Sequence, residues 1–570
     1  MKHLRTMFAI FLIAALSATA MYAQAVSATL VGTLTDSSGG IVVNAKVTAT
    51  ETNTGVVRTG NTNESGNYTF PNVPPGIYSV TAEQPGFKKV TRANVDVVVD
   101  TTTRVDLTLT PGQVNETVDV TAEAPILQTD RADIGRKIET IQLANLPTGY
   151  NRSFQSLLNL VPGTTRAFAP HSEFFNSQGS LTTQVNGVSR LGNNVQFEGV
   201  DNNHRTGLLT ILIPPIEALQ NVDVSTSNYE AELGRAGGAV TNVILKSGAN
   251  QIHGAAYEFH NNNHLNARET FQPSKPVTTY NYFGGNFGGA IIKNKTFVFG
   301  DYLRIADRRG DGYIITVPSA AFRNGDFSSQ STLVYDPSTG DRLTGAGRQP
   351  FAGNKIPANQ ISPLATKLLA LVPLPNINNN LTNNYASATT RSKDQNSFDV
   401  KVDHQQSEKN RFSVRYSFQR PVVTDPGRFG IAGGGGKGFA ATGVNRTQST
   451  AINYTRLISP TFITEARVGL GRYSNKAENL DIGTNASDAI GIKGVNLDRW
   501  SSGLTTITVG GYPDPLVGYS ASIPWNRAET NIDFVSNWTK LHSNHTIKWG
   551  VDVRRLRDEL LQTQDAGGPR

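Results

Sequence analysis

Four residues near the middle of the chain, His253, Glu258, His260 and His264, have side chains that could bind a metal ion. The alternating residues around His253 and His260 predict a strand. Because successive side chains of a strand point to opposite faces, these two histidines would lie on opposite faces, and His264 follows in an asparagine-rich segment. The spacing therefore argues against a metal site.

Two other patterns resemble a phosphate-binding loop and a catalytic pair, but each lacks residues that such a site requires. The glycine-rich residues 433–438 resemble a phosphate-binding loop, but Ile431 stands where a glycine is needed and Gly438 where a serine or threonine is needed. Glu198 and Asp201 could form a catalytic pair, yet without a third polar partner they are expected to be turn residues. No serine-nucleophile elbow or kinase motif set occurs. We therefore expect neither an enzyme nor a cofactor.

The composition excludes further classes of protein. The 570 residues include no cysteine, so disulfide frameworks, zinc–thiolate sites and cysteine nucleophiles are ruled out. The net charge of +7 is spread over the chain without a dense basic cluster, and we expect no nucleic-acid partner. The length predicts about two to four units. Short alternating segments between polar turns predict a mainly β fold.

Residues 1–25 have the pattern of a signal peptide. Lys2 and Arg5 precede an apolar run at residues 7–16, and small residues follow at 18–20. The run is too short to span a bilayer, and no later segment has about eighteen uninterrupted apolar residues. The chain is expected to be exported. If it enters a membrane, it must do so as a β-barrel, because every backbone polar group in lipid has to be paired.

Residues 26–112 predict a small sandwich of about seven strands. Their central motif is Gly66-x-Tyr68-x-Phe70-x-x-Val73-x-Pro75-Gly76-x-Tyr78. This motif resembles carboxypeptidase regulatory-like domains, which implies a carbohydrate-binding-like fold without the catalytic zinc ligands of the enzyme. The alternating aromatic residues favour a core role, and contact with a sugar is the alternative.

Residues 126–248 carry the longest ordered motif of the chain. Its residues are Asn186, Gly187, Glu198, Gly199, Asp201, Glu232, Gly234, Arg235, Gly237, Gly238, Lys246, Ser247 and Gly248. The motif resembles the plug domain of TonB-dependent outer-membrane receptors, in the Oar-like branch. Glu198-Gly199 replaces the usual Asp-Gly. We expect a helix at 151–161, paired strands at 184–188 and 196–203, and a strand at 221–227 with one buried face.

The linker at residues 113–125 contains a β-prone heptapeptide, made of Glu116, Thr117, Val118, Asp119, Val120, Thr121 and Ala122. The resemblance implies that this segment, called the box below, is a TonB box. Such a box adds as a strand to a TonB-type energising protein in the periplasm. The alternative is that the box is the first strand of the plug.

Residues 249–570 consist of long alternating segments joined by polar loops. Phe412, Val414 and Phe418 alternate with polar residues, and the neighbouring segments predict hairpins. The pattern favours a transmembrane barrel, with a soluble sandwich as the alternative. A long insertion at 305–392, with one helix at 364–371, is expected to be extracellular. The glycine-rich strand at 281–292 could bend or let the plug approach.

About nine or ten barrel strands are predicted, whereas plugged transporters need roughly 22. The expected fold class is therefore mainly β: an N-terminal β-sandwich, an α+β plug domain, and an incomplete antiparallel transmembrane β-barrel, forming the N-terminal part of a longer receptor.

The resemblance implies a TonB-dependent receptor in the outer membrane of a Gram-negative-type bacterium. It would take up a large nutrient, such as an oligosaccharide, a peptide or a metal chelate, by energised movement of the plug. Its partners would be a TonB-type protein, outer-membrane lipid and an extracellular ligand for which carbohydrate is one option. The alternative is a surface carbohydrate-binding or adhesion protein anchored by the barrel. An exported carboxypeptidase-like enzyme is disfavoured by the missing metal cluster.

Overall fold

The computed structural model describes residues 28–97, 102–112, 117–120, 134–146, 148–149, 152–170, 172–205, 209–234, 236–268, 275–434, 440–520, 522–542 and 545–562. No helix among these residues is long and apolar enough to cross a membrane. The expected signal peptide lies outside the described residues, as do residues 435–439 of the glycine-rich stretch. Four motif positions also lie outside them: Glu116, Thr121, Ala122 and Arg235.

The N-terminal unit is a sandwich of two sheets. Its strands are β1 (Ala28–Asp36), β2 (Lys46–Glu51), β3 (Val57–Asn61), β4 (Asn67–Val73), β5 (Gly76–Glu83), β6 (Lys89–Val97), β7 (Thr102–Arg104), β8 (Leu107–Leu109) and β9 (Thr117–Val120). One sheet has the order β4-β1-β7 with β8 also on β1, and the other has the order β3-β2-β5-β6-β9. The core between them contains Tyr68, Phe70 and Tyr78. These aromatic side chains therefore pack inside the domain, as their alternation predicted.

The plug is a five-stranded sheet with short helices. Its elements are β10 (Ile134–Glu139), α1 (Thr140–Asn145), β11 (Asn194–Phe197), β12 (Val200–Asp201), β13 (Leu219–Ser227), β14 (Val240–Leu245) and 3-10 helices at Phe154–Leu160, Arg190–Gly192, Ile216–Ala218 and Ala231–Leu233. The strand order is β10-β13-β14-β11-β12. Its apolar core includes Phe154, Leu157 and Val161.

Two predictions for the plug are wrong, and the predicted helix is shorter than expected. Of residues 151–161, Phe154–Leu160 form a 3-10 helix that ends at the extended Val161, because the residue before Pro162 avoids the α conformation. Residues 184–188 do not pair with 196–203. They make their own tight turn, in which Asn186 and Gly187 have φ values of 51° and 78°. Both faces of β13 are buried, not one, because Val222 and Val224 pack in the apolar core of the plug and the polar side chains of Asn221, Asp223 and Ser225 are buried on the other face.

The third unit is an antiparallel sheet of nine strands, each paired with the next in sequence. They are β15 (His253–Asn262), β16 (Thr278–Ile292), β17 (Thr296–Ile315), β18 (Tyr385–Ser407), β19 (Asn410–Asp425), β20 (Ala441–Ser459), β21 (Phe462–Asn479), β22 (Trp525–His542) and β23 (His545–Gln562). Within the described residues, β15 and β23 are the edges of this sheet. The predicted hairpins are confirmed, including the cross-strand pair of Trp538 and Trp549.

The connections differ at the two ends of the sheet. Three short turns among the described residues, at 293–295, 408–409 and 460–461, lie at the end that carries the sandwich. The longer connections, described at 263–268, 275–277, 316–384, 426–434 and 480–520, lie at the other end. In outer-membrane barrels short turns are periplasmic and long loops extracellular, which orients the sheet.

The predicted insertion at 305–392 is shorter than expected. Strand β17 continues to Ile315 and β18 begins at Tyr385, so part of the insertion belongs to the wall. The loop between them contains α2 (Ala320–Arg323) and α3 (Pro363–Ala370). Helix α3 confirms the predicted helix, with Pro363 at its first turn, where proline is tolerated. A fourth helix, α4 (Ala486–Ile490), lies in the loop after β21.

The wall buries its polar face and exposes its apolar face. On β18 the side chain of Asp399 is 2% exposed, whereas its neighbour Val400 is 41% exposed. Arg415 is buried and Val414 is exposed on β19 in the same way. A soluble sandwich would bury the apolar face, so that alternative is wrong. The arrangement is the one required by a wall with lipid outside and polar contacts inside.

Aromatic rings cluster on the outer face near the short turns. Phe412 stacks on Tyr454 with ring centroids 4.6 Å apart. Phe462, Trp538 and Trp549 form a second group, in which Phe462 lies 5.5 Å from Trp538 and Trp538 lies 6.4 Å from Trp549. Such rings prefer the boundary between hydrocarbon and water, so they mark the periplasmic interface of the wall.

Candidate functional site

The inner surface of the wall holds the plug through buried charges. The turn between β11 and β12 places Glu198 and Gly199 at φ values of 53° and 72°. The buried Glu198 carboxylate accepts hydrogen bonds from Lys401 Nζ at 2.9 Å and from the Leu245 N–H at 2.8 Å. Glu198 is therefore a turn residue, as predicted, and also one half of a buried ion pair between the plug and the wall. Lys401 had no sequence signal for this role beyond its place on the polar face of β18.

The wall approaches the plug closely at Gly199. Arg467 on β21 donates a hydrogen bond to the Gly199 carbonyl. A side-chain carbon at Gly199 would lie 2.3 Å from the Arg467 guanidinium carbon. The positive φ favours a glycine here, and a side chain would also displace the arginine that packs on it.

Asp201 is the second anchor of this hairpin. Its carboxylate faces Arg205 of the plug and Arg554 of β23, the latter at 3.3 Å. Burial acts to raise the pKa of Asp201, but the guanidinium of Arg205 and the amide of Asn203 outweigh it and hold the pKa below its usual range. The Asp201 N–H donates to Asp533 on β22 at 3.2 Å. Asp201 is therefore a charged contact between plug and wall, beyond the predicted turn role.

The segment that leaves the plug is fixed by the rest of the motif. Lys246 Nζ donates to the Glu217 carbonyl at 2.6 Å. Gly248 passes so close to the wall that a side-chain carbon would lie 2.4 Å from the Val298 carbonyl oxygen and 2.5 Å from that of Gly289. The Gly289 contact confirms that the glycine-rich strand lets the plug approach. Ser247 lies between them and lines a cavity described below.

The two adjacent glycines of the motif join two segments of the plug through backbone hydrogen bonds. The N–H groups of Gly237 and Gly238 donate to the Gly192 carbonyl at 2.9 and 3.0 Å. A side-chain carbon at Gly238 would lie 2.4 Å from Asn193 Oδ1. Gly234 caps the 3-10 helix Ala231–Leu233. These glycines serve close backbone approach, as predicted.

Glu217 is a plug residue that the motif analysis missed. Its carboxylate accepts from Arg152 Nε at 2.8 Å and from the Tyr282 hydroxyl at 3.1 Å. Arg152 also lies over the ring of Phe259, 3.6 Å from its centroid. A cation–π contact and a hydrogen bond from a tyrosine thus join the plug to β15 and β16.

The extracellular loops pack on the apex of the plug. Phe174 is buried in an apolar cluster that contains residues of the wall and of three long loops: Val317, Val372, Val423, Ala432, Ala440, Ala441, Ala477, Leu504, Leu516, Val517, Tyr519 and Ile523. Phe175 contacts Trp525, with ring centroids 4.9 Å apart. The loops therefore close over the plug from outside. Sequence analysis placed no residue in this contact.

The sandwich sits at the opposite, periplasmic end. The Asn250 N–H donates to the Asn53 carbonyl at 2.9 Å, and Asn250 and Asn294 bond each other through side chains at 2.7 Å. Arg58 donates to the Glu408 carbonyl at 3.5 Å. A cavity of about 450 Å³ lies between the sandwich, the exit of the plug and the wall, lined by Lys246, Ser247, Asp403 and Arg411 among others.

The described part of the box, β9, pairs in parallel with β6 of the sandwich. The alternative role of first plug strand is wrong, because that strand is β10, which pairs with β13. The box therefore lies at the edge of a sheet in a different domain.

The candidate metal ligands do not come together. His260 Nδ1 lies 2.7 Å from Asn281 Oδ1, and His264 follows the end of β15. Within the described ranges no three His, Asp or Glu side chains are placed to hold a metal ion. The geometry of the site therefore supports mechanical and electrostatic contact between plug and wall.

Two units of the chain, the wall and the sandwich, match known protein families. Residues 244–569, more than half of the chain, match the family described as outer membrane beta barrel domain. Residues 29–110 match the carboxypeptidase regulatory-like domain, which confirms the resemblance found in the sandwich.

A curated relative, the TonB-dependent transporter Oar of Myxococcus xanthus, is 26% identical over 352 residues, covering 59% of this chain and 32% of the relative. The chain thus spans about a third of that relative's length. The outer membrane transporter YddB of Escherichia coli aligns with a TM-score of 0.45 and 11% identity, over 75% of this chain and 48% of that one. The siderophore receptor PirA of Acinetobacter baumannii aligns with a TM-score of 0.41 and 11% identity, over 75% and 48%.

Proposed function

Since the chain belongs to the family of outer-membrane β-barrel domains, we propose that it is a TonB-dependent receptor that imports a large nutrient. The outer membrane of a Gram-negative-type bacterium is its location. The relative from Myxococcus xanthus is named a TonB-dependent transporter, which supports the same activity here.

One observation carries the proposal: the lumen of the wall is filled by a separate folded domain that is held by ion pairs. Glu198 and Lys401 form a buried pair, and the buried carboxylate of Asp201 faces Arg554 of β23. A wall that served only as an anchor would need no independently folded plug with charged contacts. Ionic contacts can be exchanged for water when the plug moves, whereas a continuous apolar interface would resist such a change.

The energised step would begin at the box and reach the plug through β10. Among the described residues, strand β10 is an edge of the plug sheet and has one ladder, with β13, from Ile134 opposite Ser227 to Glu139 opposite Asn221. A pull from the periplasm would peel this edge strand first, because an edge strand has a ladder to one neighbour and a central strand has two. The central strands β14 and β11 would remain paired. Partial unfolding of the plug would then open a path beside the wall.

The cargo would be a large nutrient, for which an oligosaccharide, a peptide and a metal chelate are the three classes. A plug of more than a hundred residues occupies far more space than a small ion requires, so a path opened by moving it suits a bulky solute. Selectivity would lie in the loops at 316–384 and 480–524, which cover the apex of the plug.

Deleting residues 116–122 tests the proposal. Cells that produce the full-length receptor are given a labelled oligosaccharide, a labelled peptide and an iron chelate, and surface binding and uptake are measured separately. We expect uptake of at least one probe to be lost while its surface binding persists. Deleting residues 123–125 shortens the same linker without touching the box and should preserve uptake. Surface binding without uptake in the wild-type protein would instead favour the carbohydrate-binding or adhesion alternative.

A further inference from the structure

The box occupies a defined place in the sandwich. Its residues pair in register with β6, from Lys89 opposite Thr117 to Arg92 opposite Val120. β9 is the last strand of the order β3-β2-β5-β6-β9, so it covers the edge that β6 would otherwise present. Strand addition to an exposed edge is the contact that the box is proposed to make with its energising partner. The chain already makes a contact of that kind with itself.

The segment before the box is fastened to the same region. The Lys88 N–H donates to the Thr110 carbonyl at 2.9 Å, and the Gly112 N–H donates to the Gly86 carbonyl at 3.1 Å. Only four residues separate Gly112 from β9. A strand tethered so close to its acceptor edge has an effective concentration on the order of millimolar or higher. Four paired residues are therefore sufficient to hold the box, yet few enough to be released.

We propose that the edge of β6 is an internal docking site for the box and that the energising protein must displace β9 from it before plug movement begins. This inference rests on the proposed function for the identity of the competitor. While β9 stays on β6, a pull on the box is carried by the sandwich. The sandwich is fixed to the rim of the wall through Asn53 and Asn250. The plug receives the load only after the strand has changed partner.

The lack of cysteine allows a direct test. Thr91 and Asp119 are Cα partners in the parallel ladder, where neighbouring strands lie about 4.8 Å apart, so the variant Thr91→Cys/Asp119→Cys can be bridged by a disulfide. The matched control is Thr48→Cys/Thr81→Cys, a directly opposed pair between β2 and β5 of the same sheet. The single variant Asp119→Cys controls for the change within the box.

The measurement uses the full chain in detergent micelles and the purified periplasmic domain of a TonB-type protein as the probe. Mass spectrometry first reports disulfide formation under mild oxidation, and surface plasmon resonance then gives the affinity in oxidised and reduced forms. We expect the β6–β9 disulfide to form and to weaken binding by at least about tenfold, since the competent fraction falls towards zero. Reduction of the Thr91→Cys/Asp119→Cys variant should raise its affinity to that of the single variant Asp119→Cys. The control pair should bind with equal affinity in its oxidised and reduced forms.

Each other result has a distinct meaning. Failure of the β6–β9 disulfide, when the control pair oxidises, overturns the docking. A disulfide that forms without weakening binding overturns displacement, because the partner would then add to the outer edge of β9. A wild-type receptor that does not bind the periplasmic domain at all overturns the proposed function, and with it the competition, even if the disulfide shows that the box is docked.

Discussion

Replacing Lys401 by methionine should loosen the plug far more than the loss of one surface charge would. The pair of Glu198 and Lys401 is almost fully buried, with side chains 3% and 5% exposed. Without Lys401 the Glu198 carboxylate keeps its hydrogen bond from the Leu245 N–H but loses the counter-charge that is hydrogen-bonded to it. Breaking a buried pair in this way costs about 3–5 kcal/mol, because one charge remains uncompensated.

Hydrogen exchange in detergent micelles measures the effect on the plug itself. In Lys401→Met, amides of β11 and β14 should exchange faster by roughly two to three and a half powers of ten, as follows from about 1.4 kcal/mol for each tenfold change. Glu198→Gln/Lys401→Met removes both charges and should recover more than half of the lost protection. Lys355→Met is the matched control. It breaks an exposed pair with Asp326, whose side chains are 58% and 33% exposed, and should leave the exchange of β11 and β14 unchanged.

The reasoning fails if Lys401→Met leaves the exchange of β11 and β14 unchanged. It also fails if the double variant is as unprotected as the single one. The first outcome would mean that the pair does not hold the plug, and the second that lost packing of the long lysine side chain, rather than the unpaired carboxylate, sets the cost.

Two further predictions concern the wall and the loops. Val400→Arg should destabilise the folded wall by about 2–4 kcal/mol, measured by a refolding titration into lipid vesicles. Val400 faces outward and lies roughly 13 Å along the strands from Phe412, which places it near the membrane midplane. An effect below about 1 kcal/mol would place this face outside the hydrocarbon. Phe174→Ala should weaken the packing of the loops on the plug by about 3–5 kcal/mol and speed proteolytic cleavage within residues 480–524. Leu343→Ala, at a residue that is 95% exposed, should not change the cleavage rate. Equal cleavage of both variants would contradict the packing.

The hairpins of the wall were predictable because two local signals agree. Alternation with a period of two marks each strand, and a two-residue connection such as 408–409 fixes the register between neighbours. The same alternation does not say which face is buried. Which face is buried depends on what fills the space inside the wall. The polar face of β18 is the inner face because it contacts the plug.

The plug motif could be located from sequence, but its ionic partners could not. Glu198 was placed in a turn, while Lys401 lies 203 positions later and looks like any other charged residue of an alternating strand. Strand β13 was expected to bury one face, yet Asp223 on its polar face is buried as well. The docking of the box was missed for a similar reason: a short β-prone segment carries no information about which sheet edge will accept it.

The length of chain between partners sets the order in which this protein can fold. Asp201 bonds to Asp533 across 332 positions and faces Arg554 across 353. The plug is therefore synthesised before β22 and β23, which supply these contacts. Until then Asp201 has Arg205 of the plug as its counter-charge, and the unpaired edges of the earlier wall strands are open to association with other chains. Anchoring of the plug to the wall thus depends on strands that are made last, and periplasmic factors that shield strand edges would act during that delay.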